Sequence, residues 1–192
     1  IELPLLKTGI SRGARHMIEH AVAQRGEIRS AAEIDRMQAM LLEFYDRNIA
    51  VESTVYPGVV DALKLFARKG YRLAVCTNKL EAPSRKLLKA LALDRHFQAI
   101  VGRDTLPVSK PDAGHLIGTV ILADGNLDRS IMVGDSEIDV ATAKSAGIPV
   151  VGVTFGYTPI PIAELGPDAV IDHFRELPDA VERLLAALAE IS

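Results

Sequence analysis

The chain has 192 residues, and its 22 lysine and arginine residues against 25 aspartate and glutamate residues give a formal net charge of −3 at pH 7. That length suits one main domain with a small insertion, and the charge balance gives no electrostatic reason to bind nucleic acid or an anionic membrane. Cys76 is the only cysteine, which excludes an internal disulfide, and no apolar run reaches the roughly 20 residues of a membrane span. We therefore expect a cytoplasmic protein.

The N-terminal quarter of the chain carries helical patterns and no strand pattern. Ser30 and Glu33 have the spacing of a capping box, which predicts that a helix with a long apolar stripe begins here. The pattern changes near Pro57. We expect a helical domain over residues 1–54, incomplete at its N-terminus, and a second domain over residues 55–192.

After Gly70, short apolar runs alternate with helical patterns. The runs at residues 71–76, 98–102 and 131–134 are each bounded by turn residues, as buried strands are. Strands that alternate with helices predict an α/β fold. We expect a Rossmann-like parallel sheet with right-handed crossovers and helices on both faces.

Two aspartates follow the last of these runs. Gly134 lets the chain turn sharply, Asp135 comes next, and Asp139 lies on the first turn of the following helix. Open α/β sheets bind ligands at the carboxyl ends of their strands, and paired carboxylate oxygens suit Mg²⁺. The alternative is that Asp135 only caps the helix and that Asp139 is a solvated helix residue.

Polar residues also follow the strand that ends at Cys76. Thr77 and Asn78 offer a hydroxyl, an amide and backbone N–H groups, the donors that a phosphate needs, although both are also ordinary turn residues. Lys110, followed by Pro111 on a later loop, could reach the same anion, although a single loop lysine usually faces solvent. These residues predict a phosphate site.

The order of these motifs resembles that of haloacid dehalogenase-like phosphatases, whose second, third and fourth motifs are strand-Thr-Asn, Lys-Pro and strand-Gly-Asp-Ser with a further aspartate. The tail, residues 148–158 and 166–171, is similar to that of the bacterial phosphoglycolate phosphatase branch. The resemblance covers roughly residues 55–190. It identifies the second domain as a haloacid dehalogenase-like α/β core and the first as its small helical cap.

The resemblance implies a Mg²⁺-dependent phosphatase that acts on a small phosphomonoester through an aspartyl-phosphate intermediate. The leading candidate for the substrate is 2-phosphoglycolate. Asp135 would hold Mg²⁺, while Lys110 and Asp139 are the expected catalytic residues. In that mechanism Asp139 orients the metal shell and Lys110 neutralises charge on the phosphate and the nucleophile. Thr77 would donate its hydroxyl to the phosphoryl group, with help from the Asn78 backbone.

The sequence departs from the family at the first motif, Asp-x-Asp-Gly-Thr, which carries the nucleophile and is absent here. In the family's sheet the missing strand is central, between the strands that end at Thr77 and Asp135, and its loss would expose apolar strand edges. We therefore expect that the functional protein is longer and that an N-terminal segment carries the nucleophile. A natural fragment completed by another chain is the alternative.

The cap is expected to set substrate choice by closing over the site. It contains six arginines and no lysine between Thr8 and Leu63, so it offers no amine for the Schiff base that phosphonate-cleaving relatives form. Arg12 is the best candidate to bind a substrate carboxylate bidentately, although any cap arginine could be a solvated helix charge. His16 and His20 share a helix face, but no third metal ligand is evident, and we interpret them as surface or hinge residues.

The core motifs leave other functions open. A phosphatase or mutase acting on a sugar phosphate, or a pyrophosphatase, would share the same core, whereas dehalogenation has no use for the carboxylate of Asp135. A catalytically inactive relative that binds a phosphorylated ligand or a partner protein is a different class. The absent nucleophile favours it. Four retained motif residues argue against it: Thr77, Lys110, Asp135 and Asp139. The expected partner is a small phosphate ester, and the oligomeric state is open.

Overall fold

The computed structural model describes residues 13–156 and 158–191, which contain seven α-helices and five strands. The helices are α1 (Ala14–Gln24), α2 (Ala31–Arg47), α3 (Val59–Arg68), α4 (Glu81–Ala90), α5 (Ala113–Leu122), α6 (Glu137–Ala146) and α7 (Leu177–Ile191). The strands are β1 (Ala74–Cys76), β2 (Ala99–Val101), β3 (Met132–Gly134), β4 (Val150–Val153) and β5 (Ala169–Ile171). None of these helices is long and apolar enough to cross a membrane.

Helices α1 and α2 pack against each other as a pair. Ile18 and Val22 of α1 are buried against Ile34 of α2. The Ser30 hydroxyl accepts a hydrogen bond from the Glu33 N–H, and the Glu33 carboxylate accepts one from the Ser30 N–H at 2.9 Å. These reciprocal bonds satisfy amides that a helix start otherwise leaves unpaired. The predicted capping box and the helix that follows it are confirmed.

Every strand pair among the described residues is parallel. β1 pairs with β2, and β3, β4 and β5 form a second sheet in that order. β1 is shorter than its apolar run because the backbone N–H groups of the residues before it donate to acceptors outside the β1–β2 ladder. The Tyr71 N–H donates to the Phe66 carbonyl at 3.0 Å, and the Leu73 N–H donates to the Gln98 side chain at 2.6 Å. The predicted parallel α/β architecture is confirmed, with shorter strands than the sequence indicated.

Helices cover both faces of the β3–β4–β5 sheet. Val151 and Val153 of β4 point with Ile171 into a core formed with α3 and α7. Val150 points the other way, with Met132, into a core formed with α5 and α6. This is the alternation of side chains along a strand, and it makes β4 the centre of the core. Helices on both faces confirm the Rossmann-like architecture.

The described strands form two separate sheets, β1–β2 and β3–β4–β5. Among the residues that the structure describes, β1 pairs only with β2, and β3 pairs only with β4. Helix α5 joins the two halves because it packs against β1, β2 and α6. The expected strand between β1 and β3 stays a prediction, as does the boundary between cap and core.

Candidate active site

A cleft of about 1020 Å³ lies between helices α1 and α2, which form the predicted cap, and the carboxyl ends of β1 and β3. The residues that follow parallel strands meet there because the strands end at one edge. The sixth predicted site residue, Arg12, lies outside the described residues. The other five predicted site residues all line the cleft: Thr77, Asn78, Lys110, Asp135 and Asp139.

Asp135 lies directly after β3, and two glycines leave room for its loop. A Cβ atom at Gly156 would lie 2.5 Å from Asp135 Oδ2, and one at Gly134 would lie 2.3 Å from the Asp139 Cβ. Both distances are far below van der Waals contact, so both close approaches require glycine. This packing confines the Asp135 carboxylate beside the cleft.

Asp139 holds the loop that carries Asp135. Its Oδ2 atom accepts hydrogen bonds from the N–H groups of Asp135 and Ser136, both at 3.1 Å, and from the Ser136 hydroxyl at 2.8 Å. The same hydroxyl accepts from the Asp139 N–H and so caps α6. The Asp139 side chain is only 7% exposed, so the alternative of a solvated helix residue is wrong.

The second oxygen of Asp139 forms a buried ion pair with Lys110. Lys110 Nζ lies 2.5 Å from Asp139 Oδ1, and the lysine side chain is 9% exposed. The Asn78 amide holds the lysine's loop by donating to the Lys110 carbonyl at 3.1 Å. A buried ammonium needs a compensating charge, so Asp139 determines where the charge of Lys110 lies. Lys110 is therefore a cleft residue and not a solvent-facing loop lysine.

Thr77 continues β1 into the cleft. Its N–H donates to the Val101 carbonyl at 3.0 Å, which extends the β1–β2 ladder by one bond. Its Oγ1 atom accepts the Lys79 N–H at 3.1 Å. A hydroxyl that accepts one bond still has its own hydrogen to donate. Thr77 thus presents a donor to the cleft from a fixed backbone.

The carboxylates of the cleft suit Mg²⁺. The described part of the chain contains no group of three or more His, Cys, Asp or Glu side chains that could hold a metal. Mg²⁺ does not need such a group, because it keeps several waters and takes one or two carboxylates. Both oxygens of Asp139 accept protein hydrogen bonds, which suits a role in positioning its neighbours, and Asp135 lines the cleft directly after β3.

His115 joins the elements that carry the site, and nothing in the sequence pattern indicates it. The imidazole is fully buried, with Nε2 3.0 Å from the Gly102 carbonyl and Nδ1 3.3 Å from the Cys76 sulfur. The carbonyl can only accept, so Nε2 carries the proton and Nδ1 accepts from the thiol. Burial lowers the pKa of His115 and raises that of Cys76. Both groups are therefore neutral near pH 7.

The cap supplies polar groups to the other side of the cleft. His16 and His20 of α1 line it with stacked rings whose centres are 6.4 Å apart, and their interpretation as surface or hinge residues stays a prediction. Tyr45 of α2 reaches the core: its hydroxyl lies 2.5 Å from Lys79 Nζ, and the same ammonium lies 3.9 Å from the centre of its ring. The Lys79–Tyr45 contact was not visible in the sequence.

Known proteins resemble this chain over most of its length. A family model for haloacid dehalogenase-like hydrolases matches residues 14–153. The chain is 49% identical over 179 residues to the phosphoglycolate phosphatase of Mesorhizobium japonicum, and the match covers 93% of this chain and 79% of that relative. It is 44% identical over 178 residues to the phosphoglycolate phosphatase of Agrobacterium fabrum, covering 92% and 76%.

Solved structures share the fold. A predicted phosphoglycolate phosphatase from Haemophilus somnus superposes with a TM-score of 0.86 at 29% identity, covering 94% of this chain and 82% of that chain. The β-phosphoglucomutase of Clostridium difficile superposes with a TM-score of 0.80 at 14% identity, covering 97% and 84%. The second likeness shows the fold alone.

Proposed function

Since the chain belongs to the haloacid dehalogenase-like hydrolase family, in its phosphoglycolate phosphatase branch, we propose that it hydrolyses 2-phosphoglycolate in a Mg²⁺-dependent reaction. The chain is a phosphoric monoester hydrolase, the class of its relatives at up to 49% identity. The buried Lys110–Asp139 pair carries the proposal, because it fixes a cation in the cleft that Thr77 and Asp135 also line. A phosphate ester that enters this cleft meets a positive charge and a hydroxyl donor.

Lys110 and Thr77 are the proposed ligands of the phosphoryl group. Two anions, the phosphate and a nucleophilic carboxylate, must approach each other, and the Lys110 charge reduces their repulsion. Thr77 donates its hydroxyl to a phosphoryl oxygen, and the Asn78 N–H adds a second donor. Asp139 fixes the ammonium before the substrate arrives, so little reorganisation is needed during the reaction.

Asp135 is the proposed protein ligand of Mg²⁺. Its carboxylate lines the cleft, and the three hydrogen bonds from its loop to Asp139 keep it in place. When bound, Mg²⁺ neutralises negative charge on the phosphoryl oxygens. Asp139 acts through Lys110 and through the loop, so we assign it a positioning role beside the metal.

The proposed nucleophile is the aspartate of the family's first motif, which residues 1–192 do not contain. We assign that motif to a strand that pairs between β1 and β3, because each of these has a single neighbour among the described strands. In the reaction the carboxylate oxygen bonds to phosphorus while the ester P–O bond breaks, and the leaving alkoxide takes a proton from the second aspartate of the same motif, the acid/base partner of the nucleophile. Water then displaces the aspartate from phosphorus and releases phosphate.

Activity of the full-length protein tests this function. We expect phosphate release from 2-phosphoglycolate with a higher kcat/KM than from glucose 1-phosphate or pyrophosphate, and we expect EDTA to abolish it. A preference for glucose 1-phosphate would favour sugar-phosphate chemistry instead. Binding of phosphate without any turnover would favour a catalytically inactive relative.

A further inference from the structure

Lys79 is a cation of the cleft whose contacts are neutral. Its ammonium lies 2.5 Å from the Tyr45 hydroxyl and over the face of the Tyr45 ring, and no carboxylate in the described part of the chain lies within 4.0 Å of it. Two other cations that line the cleft are held in place by carboxylates: Arg15 by Glu19 at 2.9 Å, and Lys110, the proposed phosphate ligand, by Asp139 at 2.5 Å. A phenol and a ring face hold an ammonium without neutralising it. The charge of Lys79 is available to an anion that enters.

The chain places this charge beside the proposed phosphate site. Lys79 follows Thr77 by two residues, and its N–H donates to Thr77 Oγ1 at 3.1 Å. Its half-buried side chain then crosses to Tyr45 of α2 on the cap side. A phosphate bound at Thr77 would therefore have the Lys79 ammonium close by, in addition to that of Lys110. The Lys79 ammonium would lie between the phosphate and the cap.

We propose that Lys79 determines specificity by binding a carboxylate that the phosphate ester carries, with Tyr45 positioning the ammonium. The proposal rests on the phosphatase function above and adds the residue that recognises the group beyond the phosphate. In 2-phosphoglycolate a single methylene joins the carboxylate to the ester oxygen, so the recognising cation must lie close to the phosphate site. Lys79 meets that condition, and it comes from the core and not from a cap arginine.

Lys86 offers a matched control for this test. It is a second core lysine that reaches the cap, with Nζ 2.7 Å from Asp46 Oδ2 and 2.8 Å from the Asp46 carbonyl. The Lys86 side chain is 48% exposed and is not among the residues that line the cleft. Replacing Lys86 therefore disturbs a contact between cap and core without changing the charge of the cleft.

Steady-state kinetics of the full-length protein with two esters tests the proposal. Ethyl phosphate carries the phosphate of 2-phosphoglycolate but lacks its carboxylate. Lys79→Met should lower kcat/KM for 2-phosphoglycolate by about 10- to 100-fold, the effect of losing a charge-assisted hydrogen bond, and should leave ethyl phosphate within about twofold. Lys79→Arg should recover most of the loss because it keeps the charge. Lys86→Met should leave both values near those of the unaltered protein.

Two outcomes would overturn the proposal. An equal loss for both esters would mean that Lys79 acts on the phosphate or on the fold, and an unchanged kcat/KM for 2-phosphoglycolate would mean that it binds no carboxylate. Calorimetric titration with inorganic phosphate compares the phosphate Kd of Lys79→Met with that of the unaltered protein. Equal values would support the proposal. If the unaltered protein hydrolyses neither ester, the proposed function itself fails, and the inference fails with it.

Discussion

At the scale of single residues, Asp139 serves the fold and the site with different oxygens. Oδ2 organises the loop after β3, and Oδ1 compensates the charge of Lys110. A buried ion pair adds little net stability compared with apolar packing, but removal of one partner leaves a charge without compensation. The exposed pair of Lys86 and Asp46 lacks this asymmetry, because water can solvate either partner alone.

Asp139→Asn should therefore lower the free energy of unfolding by about 3 kcal/mol, because it leaves the Lys110 ammonium buried beside a neutral amide. Asp46→Asn, the control in the exposed pair, should lower it by less than about 1 kcal/mol. Urea unfolding followed by circular dichroism measures both values. Equal effects in the two variants would contradict the distinction between the buried pair and the exposed pair.

Asp135 offers a complementary prediction about activity. Asp135→Asn keeps the shape of the side chain and removes the charge that Mg²⁺ needs, so kcat of the full-length protein should fall by at least roughly 100-fold. The neighbouring exposed carboxylate of Glu137 also lines the cleft, and Glu137→Gln is the control. Normal activation of Asp135→Asn by Mg²⁺ would remove this residue from the metal site. Near-native thermal unfolding would show that the loss is not a folding defect.

At the scale of elements, His115 links β1, β2 and α5 through one buried imidazole. Burial lowers its pKa, the nearby Lys110 charge lowers it further, and the Gly102 carbonyl and Asp112 oppose the shift. The unfolded chain binds a proton near the ordinary value of 6.5, and the folded chain excludes it until a lower pH. The contribution of His115 to the free energy of unfolding is therefore fully present above pH 6.5, and it is lost as the pH falls toward the pKa in the folded state.

The expected result is a steeper acid dependence in the unaltered protein than in His115→Gln. Glutamine can still donate to the Gly102 carbonyl but does not titrate. The contribution of His115 should fall by up to about 1.4 kcal/mol for each pH unit below about 6.5. Urea unfolding between about pH 5 and pH 7.5 measures it in both proteins. Parallel profiles would show that the imidazole is not kept neutral by the fold.

Element order also explains how much of the site could be predicted. Thr77 and Asp135 were predictable because each follows an apolar strand, and the ends of parallel strands converge. The partner of Lys110 was not, because the pair spans 29 residues and depends on how α6 sits against the loop. The contacts of His115 and Lys79 could not be predicted from the sequence for the same reason. Their contacts lie across tertiary structure, and no local period marks them.

At the scale of the whole molecule, cap and core have separate apolar centres joined by polar contacts. Ile18, Val22 and Ile34 form the small cap cluster, whereas Val150 and Val151 of β4 are fully buried in the core. Local opening is easiest where few apolar groups are buried. The amides of α1 and α2 should therefore exchange with solvent faster than those of β4. Hydrogen–deuterium exchange read by mass spectrometry measures this, and equal protection would show that cap and core open as one unit.

The carboxylate of Asp139 also makes the start of α6 sensitive to what happens at Lys110. An anion that binds beside the fixed ammonium changes the electric field at both oxygens of the carboxylate. The backbone amides of Asp135 and Ser136 donate to Oδ2 and sense that change directly. Their nuclear magnetic resonances should move in proportion to occupancy of the cleft. The molecule thus contains its own spectroscopic reporter, which can be read in a titration with inorganic phosphate and without any turnover.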